Sequence, residues 1–239
     1  MIMIQIRGLK KQYQSGTTVV QALRGVDLEI QNGEFLSIAG PSGSGKTTLL
    51  NLIGCLDTAD EGTITIDSVN VAEKSRKELA LLRRERIGFV FQSFNLIPVL
   101  TAYENASFPL SLLGVSEKEV HDRTVKILEE VGLEDMMYRR PAELSGGQQQ
   151  RVAIARALIK SPDIVLADEP TANLDSETGQ DILDLMEVLN EKHNTTFIFS
   201  THDKMVMDFA HRLVRLHDGK ISSDELTPRA ASGRAAAKG

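Results

Sequence analysis

The chain has no tryptophan, a single cysteine at position 55 and only three tyrosines, so aromatic residues make up 5% of its 239 positions. Cys55 alone cannot close an internal disulfide or build a thiolate metal cluster, which excludes a disulfide-stapled scaffold, and a zinc site is not expected. A reducing compartment is the expected setting. No stretch reaches the roughly 18 uninterrupted apolar residues of a membrane span. The opening Met1-Ile2-Met3-Ile4-Gln5-Ile6-Arg7 lacks a charged leader followed by an apolar signal core. The chain is therefore expected neither to span a membrane nor to carry a signal peptide. A composition of 41% hydrophobic and 25% charged residues excludes disorder and fibrous structure. The net charge of -6 has the wrong sign for neutralising many phosphates, so no nucleic-acid partner is expected.

What is present is a chain whose hydrophobic period changes along its length. Ile2, Ile4 and Ile6, then Val26, Leu28 and Ile30, then Ile64 and Ile66 alternate at a two-residue period, the pattern of half-buried strands in a mostly antiparallel sheet. Phe35-Leu36-Ser37-Ile38-Ala39 is an apolar-rich run that ends in a Gly-rich turn and continues as Thr47-Thr48-Leu49-Leu50-Asn51-Leu52-Ile53. Strand, loop and helix are expected in that order. From about 93 to 160 the period is helical: Val120, Ile127, Leu128 and Val131 recur on one face, and a second apolar helix runs from Val152 to Ile159. Ile164-Val165-Leu166-Ala167 and Phe197-Ile198-Phe199 are bare apolar runs of strand length, as strands buried on both faces require. Ile182, Leu185, Met186 and Leu189 mark a core-facing helix between them. The expectation is a single α/β domain over 1–224. Its core and antiparallel β part are formed by 1–92 and 161–224, and its helical insertion by 93–160. Residues 225–239 lose hydrophobic periodicity and are expected to form a flexible tail.

Gly40-Pro41-Ser42-Gly43-Ser44-Gly45-Lys46-Thr47 fits the spacing G-x-x-x-x-G-K-[ST] between a strand and a helix. Glycines let consecutive backbone N–H groups curl around phosphate oxygens, and the following helix N-terminus adds about half a positive charge. Lys46 would reach the β- and γ-phosphates of a nucleotide, and the Thr47 hydroxyl would ligate Mg2+. The plain alternative is a Gly/Ser turn, yet a random chain of this length shows the pattern only about once in a hundred. Asp168 and Glu169 stand just past the carboxyl end of the buried run 164–167, where ligands sit in open α/β sheets. Paired with a phosphate loop, Asp168 reads as a Mg2+ holder and Glu169 as a general base or water-polarising group. Leu144-Ser145-Gly146-Gly147-Gln148 opens the second apolar helix, and Ser145 with Gln148 has the spacing of a capping box. A cap leaves the two glycines unexplained, because they weaken a first turn unless backbone must approach something closely. An exposed helix N-terminus with a serine hydroxyl is an anion site, which suggests a second grip on the γ-phosphate.

In these motifs the sequence resembles an ATP-binding-cassette ATPase, the nucleotide-binding subunit of an ABC transporter, up to about residue 224. The signature Leu144-Ser145-Gly146-Gly147-Gln148-Gln149-Gln150-Arg151 is specific to that family. Four further marks fall in order around it: Tyr13, Gln92 in Phe91-Gln92-Ser93, Asn173-Leu174-Asp175, and His202 in Ser200-Thr201-His202-Asp203. Ile53-Gly54-Cys55-Leu56-Asp57, the run from Arg86 to Pro98 and Leu100-Thr101-Ala102-Tyr103-Glu104-Asn105 are similar to the branch containing lipoprotein-releasing and macrolide-export ATPases. Cell-division ATPases are close relatives in that branch.

The resemblance implies a P-loop NTPase core with an antiparallel β subdomain and a helical subdomain insertion. It implies ATP and Mg2+ as ligands and two copies of the chain sandwiching two nucleotides head to tail. One copy would contribute Tyr13 for adenine stacking, residues 40–47, Thr48, Gln92, Asp168, Glu169 and His202. The other would contribute Ser145, Gly146, Gly147, Gln148 and Asp175. Glu169, His202 and Lys46 would be catalytic, and Thr47, Gln92 and Asp168 would hold the metal. An integral membrane permease would be the second partner, holding the chain at the inner face of the cell membrane and docking near 93–105. The same residues would also serve a non-transport ATPase or an ATP-switched regulatory module of the cell-division type.

Overall fold

The computed structural model describes residues 1–16 and 18–230. In chain order the elements are β1 (Ile2–Ser15), β2 (Thr18–Gln31), β3 (Phe35–Ala39), α1 (Lys46–Ile53), β4 (Glu61–Ile66), β5 (Val69–Asn70), α2 (Arg76–Arg86) and β6 (Ile87–Phe91). There follow α3 (Ala102–Ser111), α4 (Glu117–Glu130), α5 (Gly146–Leu158), β7 (Ile164–Asp168) and α6 (Ser176–His193). The chain continues through β8 (Thr196–Thr201), α7 (Lys204–Phe209), β9 (Arg212–His217) and β10 (Lys220–Leu226). Two compact units result, one of residues 1–81 with the chain from 196 onward, the other of residues 82–195. Among the described residues no helix is long and apolar enough to cross a membrane.

In the first unit β1 is an inner strand of an antiparallel sheet ordered β2-β1-β4-β5. Ile4 stands opposite Ile30 and Ile6 opposite Leu28, all buried, while Gln5 on the other face donates to Glu29. A register shift after Ile6 carries the alternation across Gly8, so that Leu9 meets Val26 in the core. The unit's other strands run β10-β9-β3-β8, with β3 parallel to both neighbours. Every residue of β3 and β8 is buried, which is why neither run alternates. Phe35 packs against Phe199 and Phe197 at centroid distances of 4.6 and 5.8 Å. Arg212, opening β9, pairs with Glu34 and Asp224 and donates to Glu29 O, tying β9 to both sheets of the unit. Strand β10 runs on through Glu225 and Leu226, paired with Leu213 and Arg212. The expected tail from 225 is corrected accordingly. Thr227 is buried with its hydroxyl 2.5 Å from Ala210 O, and the Arg229 guanidinium lies 3.7 Å from the Phe209 ring centroid. Such contacts come from single residues and leave no periodicity to read. The remainder of the expected tail, 231–239, lies outside the described residues.

In the second unit β6 and β7 are parallel partners, in register from Ile87 with Ile164 to Phe91 with Asp168. Helices α3, α4 and α5 come from the expected insertion 93–160, and the unit also takes in β6, β7 and α6. The physical reason lies at Gly88, where a Cβ would come 2.7 Å from Ala157 O. Backbone of β6 and backbone of α5 are in direct contact there. Helix starts in this unit are capped by side chains: Thr101 for α3, Ser116 for α4, Ser145 for α5 and Asp175 for α6. Glu130 at the end of α4 is ion-paired with Lys192 at 3.0 Å and hydrogen-bonded with His193 Nε2 at 2.7 Å, both in the last turn of α6, where the helix dipole favours the Lys192 charge. Gly88→Ala is expected to lower unfolding free energy by about 1–3 kcal/mol, because a backbone oxygen cannot step aside for the added methyl. Urea titration measures it, and an unchanged midpoint would contradict the β6–α5 contact.

Candidate nucleotide site

The phosphate-loop half belongs to the first unit. Strand β3 delivers the chain to Gly40, and α1 carries it away from Lys46. Gly43 and Gly45 are left-handed, with φ of 78° and 104°. A Cβ at position 40 would stand 2.1 Å from Leu216 O, and one at position 45 would stand 2.4 Å from Ala22 O. Those two backbone oxygens fix the path of the loop and require glycine at both places. Lys46 Nζ donates to Gly40 O at 2.7 Å and to Pro41 O at 3.0 Å, so the ammonium lies within the curl of its own loop. Ser44 is 2% exposed, and its Oγ has no hydrogen-bond partner. An orphaned buried hydroxyl beside an ammonium and a run of loop amides is a donor set for phosphate oxygens. Thr47 is exposed and offers the hard oxygen that Mg2+ takes. His202 follows β8 as Gly40 follows β3, and the pairing of Ala39 with Thr201 sets the two side by side at the carboxyl ends of parallel strands.

Tyr13 lies in the same unit. Its hydroxyl donates to Asp57 Oδ2 at 2.8 Å. Lys11 braces the same carboxylate, its Nζ 3.0 Å from Asp57 Oδ1 and 5.1 Å from the Tyr13 ring centroid. Burial alone would raise the Asp57 carboxyl; the hydrogen bonds from Tyr13, Lys11 and the Thr58 amide outweigh it and hold the group below its ordinary value. Burial and the bond to Asp57 push the Tyr13 phenol up, so it stays protonated at neutral pH. Tyr13 pairs with Val20 across β1 and β2, and both are exposed, which makes a small apolar platform of the kind a base stacks on. Asp57, Lys11 and Val20 were not singled out by the sequence as site residues. Asp57 stood in a motif that the sequence shows, but only the contact of its loop with β1 reveals what it holds.

The second unit holds the other expected residues. Gln92 follows β6 and Glu169 follows β7, and the pairing of Phe91 with Asp168 brings Gln92, Asp168 and Glu169 to one edge. Glu169 is half-buried and left-handed at φ 47°. The capping box of α5 is present, with Ser145 Oγ accepting from the Gln148 amide at 3.3 Å and Gln148 Oε1 accepting from the Ser145 amide at 2.9 Å. Its two glycines have a reason that the sequence left open. A Cβ on Gly147 would meet Thr178 Cγ2 at 2.6 Å, and one on Gly146 would meet Leu174 Cδ2 at 3.3 Å. The close approach is to the turn that leads into α6. In that turn Asp175 accepts from the Thr178 amide at 2.9 Å and hydroxyl at 2.7 Å, bonds that hold its carboxyl below the ordinary value. Three more side chains of this unit tie the edge together. Asn173 Nδ2 donates to Gln92 O at 2.9 Å, Gln150 Nε2 to Pro170 O at 2.6 Å, and Arg156 to Phe94 O and Asn95 O.

Comparison with known proteins agrees with this geometry. The ABC transporter family profile matches residues 23–172. The ABC transporter ATP-binding protein MJ0796 of Methanocaldococcus jannaschii is 47% identical over 93% of this chain and 97% of its own length. Its dimeric structure bound to ADP and Pi superposes with a TM-score of 0.85 at 46% identity, covering 94% of this chain and 98% of that one. The lipoprotein-releasing system ATP-binding protein LolD of Legionella pneumophila is 45% identical over 94% of this chain and 99% of its own length. The macrolide export ATP-binding/permease protein MacB of Bdellovibrio bacteriovorus is 46% identical over 93% of this chain, which spans only 34% of that protein. The chain belongs to the ABC transporter family and is one of its ATP-hydrolysing, ATP-binding subunits. The expected P-loop ABC fold is the fold observed.

The contact between Gly147 and Thr178 is testable by stability alone. In a double-mutant cycle of Gly147→Ala and Thr178→Ser, the serine keeps the hydrogen bond to Asp175 and removes the methyl that the alanine would strike. A coupling free energy of about 1 kcal/mol is expected from urea titrations of the four proteins. Strict additivity would show that the two residues do not meet.

Proposed function

We propose that the chain binds Mg-ATP in pairs of copies and hydrolyses it to drive a separate membrane subunit that exports or extracts a lipoprotein, macrolide or peptide-like substrate. The observation that carries the reading is the phosphate loop itself, with a buried, partnerless Ser44 hydroxyl, an inward Lys46 ammonium and two glycines that backbone oxygens oblige to be glycine. The dimer bound to ADP and Pi, seen for the similar cassette, supports the paired arrangement.

In this reading the loop amides and Lys46 orient the β- and γ-phosphates, and the Tyr13–Val20 platform takes the adenine. Thr47, Asp168 and Gln92 supply the oxygens for Mg2+, a hard cation that takes such donors. When bound, the metal neutralises charge on the phosphates during transfer. Glu169 takes a proton from the attacking water, and His202 donates a hydrogen bond to the γ-phosphate. Ser145, Gly146, Gly147, Gln148 and Asp175 of the second copy close over the nucleotide through the amides of a capped helix start. Because phosphoryl transfer depends mainly on positioning and charge stabilisation, neither half is competent alone.

The segment 93–105 is read as the docking site of the membrane subunit and 93–160 as the helical part that moves with it. Buried Asn105 clamps this segment, accepting from the Ile97 amide and donating to the carbonyls of Ile97, Leu100 and Thr101. Val99, between the clamped positions, is 72% exposed. An apolar side chain held out on a rigid loop suits a partner's groove. The chain then sits at the inner face of the membrane, attached through that subunit.

Glu169→Gln is expected to bind ATP normally, to release phosphate at least about a hundredfold more slowly, and to elute as a dimer with Mg-ATP in size exclusion. Lys46→Ala should instead weaken ATP binding by about tenfold or more. Phosphate release by Glu169→Gln near the unsubstituted rate would remove Glu169 as the base.

A further inference from the structure

Directly after Gln92 the backbone turns left-handed twice in succession, at Phe94 with φ 58° and Asn95 with φ 50°. Asparagine tolerates that region, whereas phenylalanine there is an outlier that persists only when its surroundings impose it. The local turn supplies part of the imposition, through Phe94 N to Phe91 O at 3.1 Å and Asn95 N to Ser93 O at 2.5 Å. The rest comes from one side chain of α5. Arg156 donates from Nη2 to Phe94 O at 2.7 Å and from Nη1 to Asn95 O at 2.5 Å, one fork on two consecutive left-handed residues. No carboxylate pairs with this guanidinium among the described residues, and burial lowers its pKa, so carbonyl oxygens alone answer its charge.

The same helix begins at the Ser145 cap, and its Gln150 holds Pro170 O one residue past Glu169. Three points on a single α-helix therefore touch the capped start, the segment after Glu169 and the segment after Gln92. A helix transmits displacement along its length as a stiff rod, here about 16 Å from residue 145 to residue 156.

We propose that Arg156 is a positioning residue that fastens the left-handed turn after Gln92 to helix α5, so that a displacement of the 93–98 segment and a displacement of Ser145–Gly147 are one motion. The proposal rests on the reading of Gln92 and of the capped helix start given above. It goes beyond that reading in assigning the mechanical link to one guanidinium.

The test compares the full chain with Arg156→Met and Arg156→Lys, by amide hydrogen exchange and by ATP turnover. Exchange at 92–97 should quicken about tenfold or more in Arg156→Met and by an intermediate factor in Arg156→Lys, while β7 and the rest of α5 stay within about twofold. The kcat should fall about tenfold with KM for ATP within about twofold, since the nucleotide contacts remain and their alignment is lost. Arg156→Lys should recover part of it. Unchanged exchange at 92–97 would overturn the proposal, as would faster exchange spread evenly over 82–195 or a faster-exchanging loop with unchanged kcat. If the ATPase reading itself failed, the unsubstituted chain would show no turnover, and the exchange data would still decide whether Arg156 fastens the loop.

Discussion

At positions 40, 45 and 88 a Cβ atom would fall 2.1, 2.4 and 2.7 Å from a backbone oxygen. Backbone has been brought against backbone at distances that only glycine permits, and the chemistry of each unit hangs on it. In the first unit the oxygens of Leu216 and Ala22 press the phosphate loop into the curl that turns its amides and Lys46 inward. In the second unit the contact between Gly88 and Ala157 seats α5 on β6, and from that seat α5 reaches the segments after Gln92 and Glu169. Close approach of this kind leaves no freedom of register.

Such a frame suits phosphoryl transfer. The protein forms no covalent bond to the phosphate in this chemistry; its contribution is to hold donors, a cation and a water in line. Groups with that task need stiffness more than unusual acidity. The side chains around them are accordingly braced. Tyr13 is held by Asp57, Asp175 by Thr178 and Ser145 Oγ by the Gln148 amide, and the backbone carbonyl of Gln92 is held by Asn173.

Much of this was legible in the sequence because local chemistry fixes it. The phosphate loop reads directly, since a strand run, a glycine spacing and a helix run follow one another without tertiary help. Residues 164–167 and 197–199 were found by the absence of alternation that burial on both faces brings. The capping box of Ser145 and Gln148 was legible from spacing alone. What was not legible depends on pairs distant in sequence. Nothing near Gly147 announces that Thr178, thirty-one positions on, presses against it. Arg156 sits in an apolar helix as one more charged residue, and its partners are carbonyl oxygens, which carry no residue identity at all. The end of the fold near residue 225 was misjudged for the same reason, because Thr227 and Arg229 are anchored by single contacts to α7 and its cap.

The central claim is that one copy supplies half of each site and a second copy the other half. The direct measurement is phosphate release per subunit as the concentration of the full chain rises through the dimerisation range at saturating Mg-ATP. The account predicts that specific activity climbs with subunit concentration and levels off only when the dimer is fully formed. Specific activity that stays constant at concentrations where the chain is monomeric would contradict it.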